Sequence, residues 1–508
     1  MTNAETLSGH PAPRPVQHDS NSHANSTRSL SRRYRRILRV VRVGGTILLT
    51  LVTFAGMLVA GALVTNHGLH QTVPTGQGHG IRNSSAHAET ASAGAAVSHG
   101  RPLVVAFVAG TTGTVISDLL APYDIFASSP AFRPYVVAAH AGPVPLEGGP
   151  ALVPTHTFAD VDADPALRPD LVVVPALSKP TDTAEAPLRT WVTGQHDRGA
   201  KILGVCAGSV VLAETGMLDG LQATSHWSRI SALQHTRPAV QWLTGRRWVD
   251  DGSVTTTAAV SSGVPAALHL VAELAGPAEA QRIADLHPEL GWNPNLTTVI
   301  TKDHFAASDW PVGLNFVEPW FRPTVGIALN DGVGELDATA AFEVYAQSAA
   351  ARTVALAAGD TVRTRHGLVL LTTSPRKAPS LSRITVPGAD DIDPRLQQLA
   401  EGRHLDVEPL RVAIPGNGAD RHSGGGFTAA LQNLTDHSDA ITASSTAKMI
   451  GYPTTDLDLH GGPTIPRTVL LALASLMLAA LVWLTPAWIS RKRRVAVDRF
   501  PATSAAPA

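Results

Sequence analysis

The chain of 508 residues holds one cysteine, Cys206, within Gly204-Val-Cys-Ala-Gly208. An apolar run, Lys201-Ile-Leu-Gly-Val205, precedes it, and a helical pattern from Ser209 to Glu214 follows. A G-x-C-x-G turn between strand and helix is a nucleophile elbow, in which glycines allow close packing and one side chain is lifted above the sheet. A thiol so placed faces a helix N-terminus, whose partial positive charge is expected to favour thiolate. It also lies at the carboxyl ends of the strands, where open α/β sheets bind ligands. The plainer role for a lone cysteine is a small buried hydrophobe, but the strand–turn–helix setting favours a nucleophile. One cysteine excludes an intramolecular disulfide and any CxxC zinc or redox site.

The elements that must position this residue alternate. Apolar runs at 102–108, 135–139, 171–175 and 201–205 read as strands buried on both faces. Helical spacing appears at 114–127, 188–197, 209–214 and 263–275, with shorter strands at 222–225 and 253–259. Such alternation predicts a parallel sheet covered by helices on both faces. A shorter copy follows, with strands at 324–329, 353–357 and 368–373 and a helix at 334–347. Each copy carries an acid six residues before a second one: Asp118 and Asp124, then Asp337 and Glu343. This spacing marks an internal repeat. Beyond Arg411 the copy loses its pattern, and helix-like stretches follow at 427–435 and 440–450.

Two charge-free runs, Val43 to Val64 and Thr468 to Ile489, are 22 residues each. About 20 residues at 1.5 Å rise cross a bilayer core, so both are expected to span a membrane. Arginines precede the first run, and Arg491, Lys492, Arg493 and Arg494 follow the second. The positive-inside rule then places both termini in the cytoplasm and residues of about 67–466 outside. A cleaved signal peptide is the alternative for the first run. The net charge of −1 is a cancellation, with +6 on residues 1–42 and +4 on 490–508 against −11 on the remainder. A near-neutral chain with an acidic exported part argues against nucleic acid as a partner.

The expected organisation is a basic tail (1–42), a first span (43–66), a flexible linker (67–100), a domain (101–285), a connector (286–322), the repeat (323–450), a linker (451–466), a second span (467–489) and a basic tail (490–508). Histidines at 67, 70, 79, 87 and 99 are irregularly spaced in a polar linker, so no metal ligand is assigned to them.

The stretches Val205–Trp227 and Thr256–Gly276 resemble the ThiJ/PfpI family of the class I glutamine amidotransferase-like fold, especially its isonitrile hydratase and regulator-type subgroup. The resemblance covers about residues 101–285, and residues 323–410 are similar to the first half of that fold. It implies a flavodoxin-like α/β sandwich plus a second, partial copy, here flanked by two transmembrane helices. It also implies that Cys206 is the nucleophile and that Asp118, on the first helix, contacts it as general acid/base. His226 matches a family histidine near the pocket, and the Ala207 and Ala176 amides stand where oxyanion donors would lie. Ala207 replaces the histidine that peptidase and deglycase members carry, and Ala176-Leu177 replaces a Gly-Gly. His287-Pro288-Glu289 mimics an amidotransferase triad segment but follows a helical stretch, so it is set aside.

Neither metal nor cofactor is implied, and a homodimer is left open. The expected function is a membrane-anchored, extracytoplasmic, cysteine-dependent hydratase or hydrolase acting on a small C–N-containing molecule. The alternative is a non-catalytic ligand-binding or redox-sensing envelope protein.

Overall fold

In the computed structural model the described residues are 41, 43–65, 100–287, 292–320, 322–413, 422–424, 426–454, 457–463, 465 and 467–497. The expected N-terminal tail (Val41 aside), the linker histidines and the chain from Asp498 lie outside them. The first helix, α1, is Val43–Thr65. The first repeat then runs β1 (Leu103–Ala109), β2 (Thr114–Val115), α2 (Ile116–Ala127), β3 (Phe132–Ala138), β4 (Val144–Glu147), β5 (Ala151–Val153), β6 (His156–Thr157), α3 (Phe158–Ala163) and β7 (Leu171–Val174). It continues through α4 (Ala186–Asp197), β8 (Lys201–Gly204), α5 (Gly208–Glu214), β9 (Gln222–Ala223), α6 (Trp227–Thr236), β10 (Gln241–Trp242), β11 (Trp248–Asp251), β12 (Val254–Thr257), α7 (Val260–Ala275) and α8 (Pro277–Ala284). The expected connector carries α9 (Trp310–Val317). The second repeat comprises β13 (Thr324–Ala328), α10 (Glu335–Ser348), β14 (Arg352–Leu356), β15 (Thr361–Arg363), β16 (Val369–Leu371), β17 (Arg383–Pro387), α11 (Pro394–Arg403), β18 (Val407–Ala413), β19 (His422–Gly424), α12 (Gly426–His437) and α13 (Ala440–Met449); α14 (Arg467–Val497) follows.

Strand order explains the sequence pattern. The first sheet runs β11-β12-β8-β7-β1-β3-β6, parallel except for the β11–β12 pair. Val105 and Phe107 of β1 pack in one core with α2 and α7, while Val104, Ala106 and Val108 pack in another with α4 and α5. Both faces are therefore dry, which is why the strand reads as an unbroken apolar run. The second sheet is β14-β13-β17-β18-β19, with only β18–β19 antiparallel. Its first four strands match the order β3-β1-β7-β8, so the copy extends one strand beyond the first half suggested by the sequence.

The copy departs at its fourth strand. Val174 pairs with Gly204, and Val386 pairs with Pro409. In this register Arg411 occupies the position of Cys206, but β18 runs on to pair with β19 where β8 turns into the elbow. The inner face also changes chemistry. Arg383 and Glu408 stand in register for Leu171 and Leu203, and Arg383 Nε lies 3.3 Å from Glu408 Oε2. His437 of α12 meets the same carboxylate at 2.9 Å.

The run at 368–373, expected as another strand of the repeat, joins a different sheet. Its order is β15-β16-β5-β4-β2, with Leu370 of β16 opposite Leu152 of β5. These two leucines are fully buried and occupy matching places in the two hairpins. The repeats thus share a sheet across an isologous junction, as a symmetric dimer would. The inner faces of both large sheets contribute to one core, including Phe107, Leu120, Ile327 and Phe342.

The described residues of Met57–Ala472 form one compact unit, and 43–56 with 473–497 belong to another. Among the described residues one helix, α1, is long and apolar enough to cross a membrane. The second apolar run lies in α14, where the apolar stretch of described side chains is Arg467–Val482.

Leu370→Ala should test the shared core. Removing a fully buried leucine is expected to cost about 2–5 kcal/mol, read as a lower denaturant midpoint with both repeats unfolding in one transition. Two separated transitions would show that each repeat has an independent core.

Candidate functional site

The elbow is built as the spacing requires. Strand β8 is buried, and the chain turns at Cys206 with φ of 55°, a left-handed conformation rare for a residue with a Cβ. Gly208 then starts α5 against β7, where a Cβ would fall 2.0 Å from the Val174 carbonyl oxygen. The Cys206 N–H donates to Thr257 Oγ1 of β12 (3.0 Å), and its carbonyl accepts from Ser209 Oγ (3.1 Å). Three elements thus over-determine the strained turn. The thiol is buried, with Cys206 only 7% exposed.

Asp118 reaches this region from the first turn of α2 and is fully buried. Its Oδ2 accepts the Ala176 N–H at 3.0 Å, while Oδ1 has no hydrogen-bond partner. Ala176, expected as an oxyanion donor, therefore gives its amide to Asp118 and orients the acid instead. Burial pushes the Asp118 carboxyl well above its usual range, and the carboxylates of Glu343 and Glu147 push it the same way. The Cys206 thiol also goes up, first from burial and then from Asp118. The Ala207 N–H at the sulfur acts in the opposite sense, as expected of a helix start. It is outweighed. Burial and the neighbouring acids therefore make the thiol hold its proton more tightly, against the expectation that the helix start favours thiolate.

Glu343 was visible in the sequence only as the second acid of the repeat. In the fold α10 packs on α2 and brings Glu343 against the first repeat, where Oε2 accepts from Ser117 Oγ at 2.8 Å. Its burial is complete, and its pKa rises from 4.5 to about 7. The second repeat, which lacks a cysteine, thus contributes an acid that bears on the cysteine of the first. Glu147 of β4 is a further acid that sequence reasoning missed; it accepts from Ser178 Oγ at 2.9 Å. Neither carries a motif, because each arrives through long-range packing.

His226 occupies a different role in the geometry. Its Nε2 lies 2.7 Å from the Met449 carbonyl, which can only accept, so this nitrogen carries the hydrogen. Nδ1 accepts from the Ser228 amide and meets the Ser228 hydroxyl at 2.7 Å, capping α6. Burial lowers its pKa to about 4, so the ring is neutral near pH 7. Nε2 thus ties the start of α6 to the end of α13, while Nδ1 caps α6 itself. Trp227 makes a parallel contact through Nε1 to the Lys448 carbonyl.

Two groups bring histidine and carboxylates within ligand distance: Asp124, Glu335 and His366, largely buried, and Asp250, His269 and Glu273, largely exposed. A cleft lined by Arg322, Tyr345, Arg383, His437 and Arg467 lies in the second repeat and shares no lining residue with the elbow. The elbow cysteine itself is buried and lies apart from this cleft.

A strand–elbow–helix cysteine facing a buried acid on the first helix defines a protein class, and the comparisons agree with it. The chain belongs to the DJ-1/PfpI family, which it matches over residues 104–273. It is 34% identical over 169 residues to the isonitrile hydratase of Pseudomonas putida, covering 33% of this chain and 70% of that protein. The HTH-type transcriptional regulator CdhR of Pseudomonas aeruginosa is 32% identical over 158 residues, covering 30% of this chain and 44% of the regulator. The chain thus spans less than half of that regulator. A ThiJ/PfpI family protein of known structure from Pseudomonas syringae is 29% identical, with 38% of this chain and 78% of that chain covered and a TM-score of 0.34.

Two outcomes check this geometry. Asp118→Asn removes the carboxylate that raises the thiol, so the pH profile of Cys206 alkylation should move to lower pH; an unmoved profile would mean the two groups are electrostatically separate. For Glu343 the folded pKa of about 7 lies above the ordinary 4.5, so the folded chain holds this proton more tightly. Stability from this group is complete below the ordinary value and is lost as pH rises through the folded one. Glu343→Gln should flatten that fall by up to about 3 kcal/mol, measured by denaturation between about pH 5 and 8.

Proposed function

We propose that this protein is a membrane-anchored, extracytoplasmic hydratase or hydrolase that uses Cys206 to attack a small C–N-containing substrate. The observation that carries the reading is the pairing of a strained elbow cysteine with Asp118, whose Oδ1 is buried and unpartnered. The likeness to an isonitrile hydratase supports water addition across a C–N multiple bond. For an isonitrile R–N≡C, Sγ adds to the terminal carbon while the thiol proton passes through the Asp118 carboxyl to that carbon, giving a thioimidate. Water then adds across the C=N bond, hydroxyl to carbon and proton to nitrogen. The C–S bond breaks, the hydroxyl proton returns to sulfur, and R–NH–CHO leaves with the thiol restored.

An acid whose proton affinity is raised by burial suits this sequence, because it can take the thiol proton and pass it on as charge develops on carbon. A thiol held neutral by burial becomes nucleophilic only as its proton leaves, so addition and proton transfer are coupled. The Ala207 N–H steadies the sulfur as charge appears. His226, with both nitrogens engaged, holds the two repeats in place around the site.

The anchor reading rests on α1, whose apolar side chains Ile47, Leu48, Val52, Val59 and Leu63 are exposed. A continuous apolar helix surface requires lipid or protein cover. The arginine-rich flanks orient it with both termini in the cytoplasm and residues of about 67–466 outside, the second apolar run serving as the return span. Reporter fusions at each terminus test this, and an external C-terminus would overturn it.

The regulator relatives favour one other reading, a ligand-binding module that performs no turnover. A panel of small isonitriles and nitriles separates the two. Wild-type chain should convert at least one of them, with loss of about 10³-fold or more in kcat/KM for Cys206→Ser and about 10²-fold or more for Asp118→Asn. Binding without turnover, unchanged in Cys206→Ser, would sink the enzymatic reading.

A further inference from the structure

The reciprocal of the Cys206 site lies at the other end of the α2–α10 pair. There Asp124 of α2 faces the second repeat, as Glu343 of α10 faces the first. In place of a thiol, this second location gathers Asp124, Glu335 at the start of α10, and His366 on the turn between β15 and β16. We propose that these three side chains form a binding site for a first-row divalent transition-metal ion, held between the two repeats.

The spacing is that of a coordination sphere. His366 Nδ1 lies 2.9 Å from Glu335 Oε2 and 3.3 Å from Asp124 Oδ1. All three ligand atoms fall within 4.8 Å of one another. Around an ion with bonds of about 2.1 Å, neighbouring ligand atoms stand about 3.0 Å apart in an octahedron and about 3.4 Å apart in a tetrahedron.

Hydrogen bonding alone leaves this cluster incomplete. Asp124 and Glu335 are fully buried. Asp124 Oδ2 accepts the Leu336 N–H at 3.0 Å, but Oδ1, aimed at the imidazole, has no hydrogen-bond partner. A single Nδ1–H serves one acceptor well, and Glu335 is the nearer. Two buried carboxylates also crowd one part of a dry interior, with the imidazoles of His366 and His287 facing them. His287 bears on Asp124 from one side, and Arg365 repels a charged His366 from the other. A divalent cation resolves both faults: it takes Oδ1, Oε2 and Nδ1 as ligands, and the Nδ1 proton passes to solvent.

The surrounding contacts are those that orient ligands. Glu335 Oε1 accepts from the Thr364 hydroxyl and from the His366 N–H (2.9 Å), which leaves Oε2 for the cluster. The Leu336 amide does the same for Asp124. Metal-ligating carboxylates are characteristically held by such outer hydrogen bonds. A mixed nitrogen–oxygen set suits Mn2+, Fe2+ or Zn2+ over Mg2+ and Ca2+, which prefer oxygen alone.

The test uses the full chain in detergent, stripped with chelator and dialysed, with ZnCl2, MnCl2 and MgCl2 as probes. One equivalent of Zn2+ or Mn2+ should bind by calorimetry and raise the melting midpoint by about 3 °C or more at roughly 100-fold excess over the dissociation constant. Mg2+ should do neither. Asp124→Asn and His366→Gln should abolish the equivalent, whereas Asp250→Asn, in the exposed triad, should leave it intact. Should the buried variants fail to fold, electron paramagnetic resonance of Mn2+ bound to the wild type reads the ligands directly, with histidine-nitrogen coupling expected. Absence of binding, bound Mn2+ without nitrogen coupling, or an equivalent lost only in Asp250→Asn would each overturn the proposal.

Discussion

Two antiparallel acids hold the molecule together. Asp124, late in α2, accepts the N–H of Leu336 at the start of α10, and Glu343, late in α10, accepts from Ser117 at the start of α2. Each helix start offers unsatisfied N–H groups and a partial positive charge, so a buried carboxylate there meets partners that offset part of its desolvation. The pairing locks the two helices in register and sets the shared sheet, where Leu152 opposes Leu370. Replacing one acid would strand the amides of one helix and the charge balance of the other. The rest of the structure follows from this reciprocity: one inner core, two large sheets outside it, and two chemically different sites at its ends.

The same constraint sets the electrostatics of the elbow. In a dry interior the carboxylates of Glu343 and Glu147 raise Asp118, and those of Asp118 and Glu343 raise the buried thiol. The Ala207 amide is too weak to reverse that field. As the proposed nucleophile, Cys206 is a reserved one, a thiol whose proton must leave as it attacks, in contrast to the preformed thiolates of exposed cysteines. Under the proposed function a small, uncharged substrate suits such a site, since a charged one would lose its hydration without gaining a counter-ion.

The second repeat shows how a fold can keep its frame and change its chemistry. Its four parallel strands follow the order of the first, yet β18 continues through the register position of the elbow. Arg383 and Glu408 replace two core leucines, and His437 completes their network. The copy retains Asp337, against which the Gly388 backbone lies so closely that a Cβ would sit 2.7 Å from its Oδ2. What remains of the old site is its acid; what has been gained nearby is a histidine between two carboxylates.

Local information was enough for much of this protein. The apolar runs at 102–108 and 171–175 declare strands because both their faces are buried, and G-x-C-x-G declares the elbow because only small flanking residues permit that turn. The acid spacing at 118/124 and 337/343 exposed the repeat, since six residues on a helix set the same geometry wherever they occur. The short strands β4, β5 and β15 went unread, being too brief for a period to show. Other facts were decided only by tertiary structure. Val369–Leu371 pairs with the first repeat, Ala176 spends its amide on Asp118, His226 closes on Met449, and Glu343 turns toward a cysteine more than a hundred residues away. The physical reason is common to all four. Strand and turn preferences are local, whereas the partner of a hydrogen bond and the dielectric around an acid depend on what packs against them.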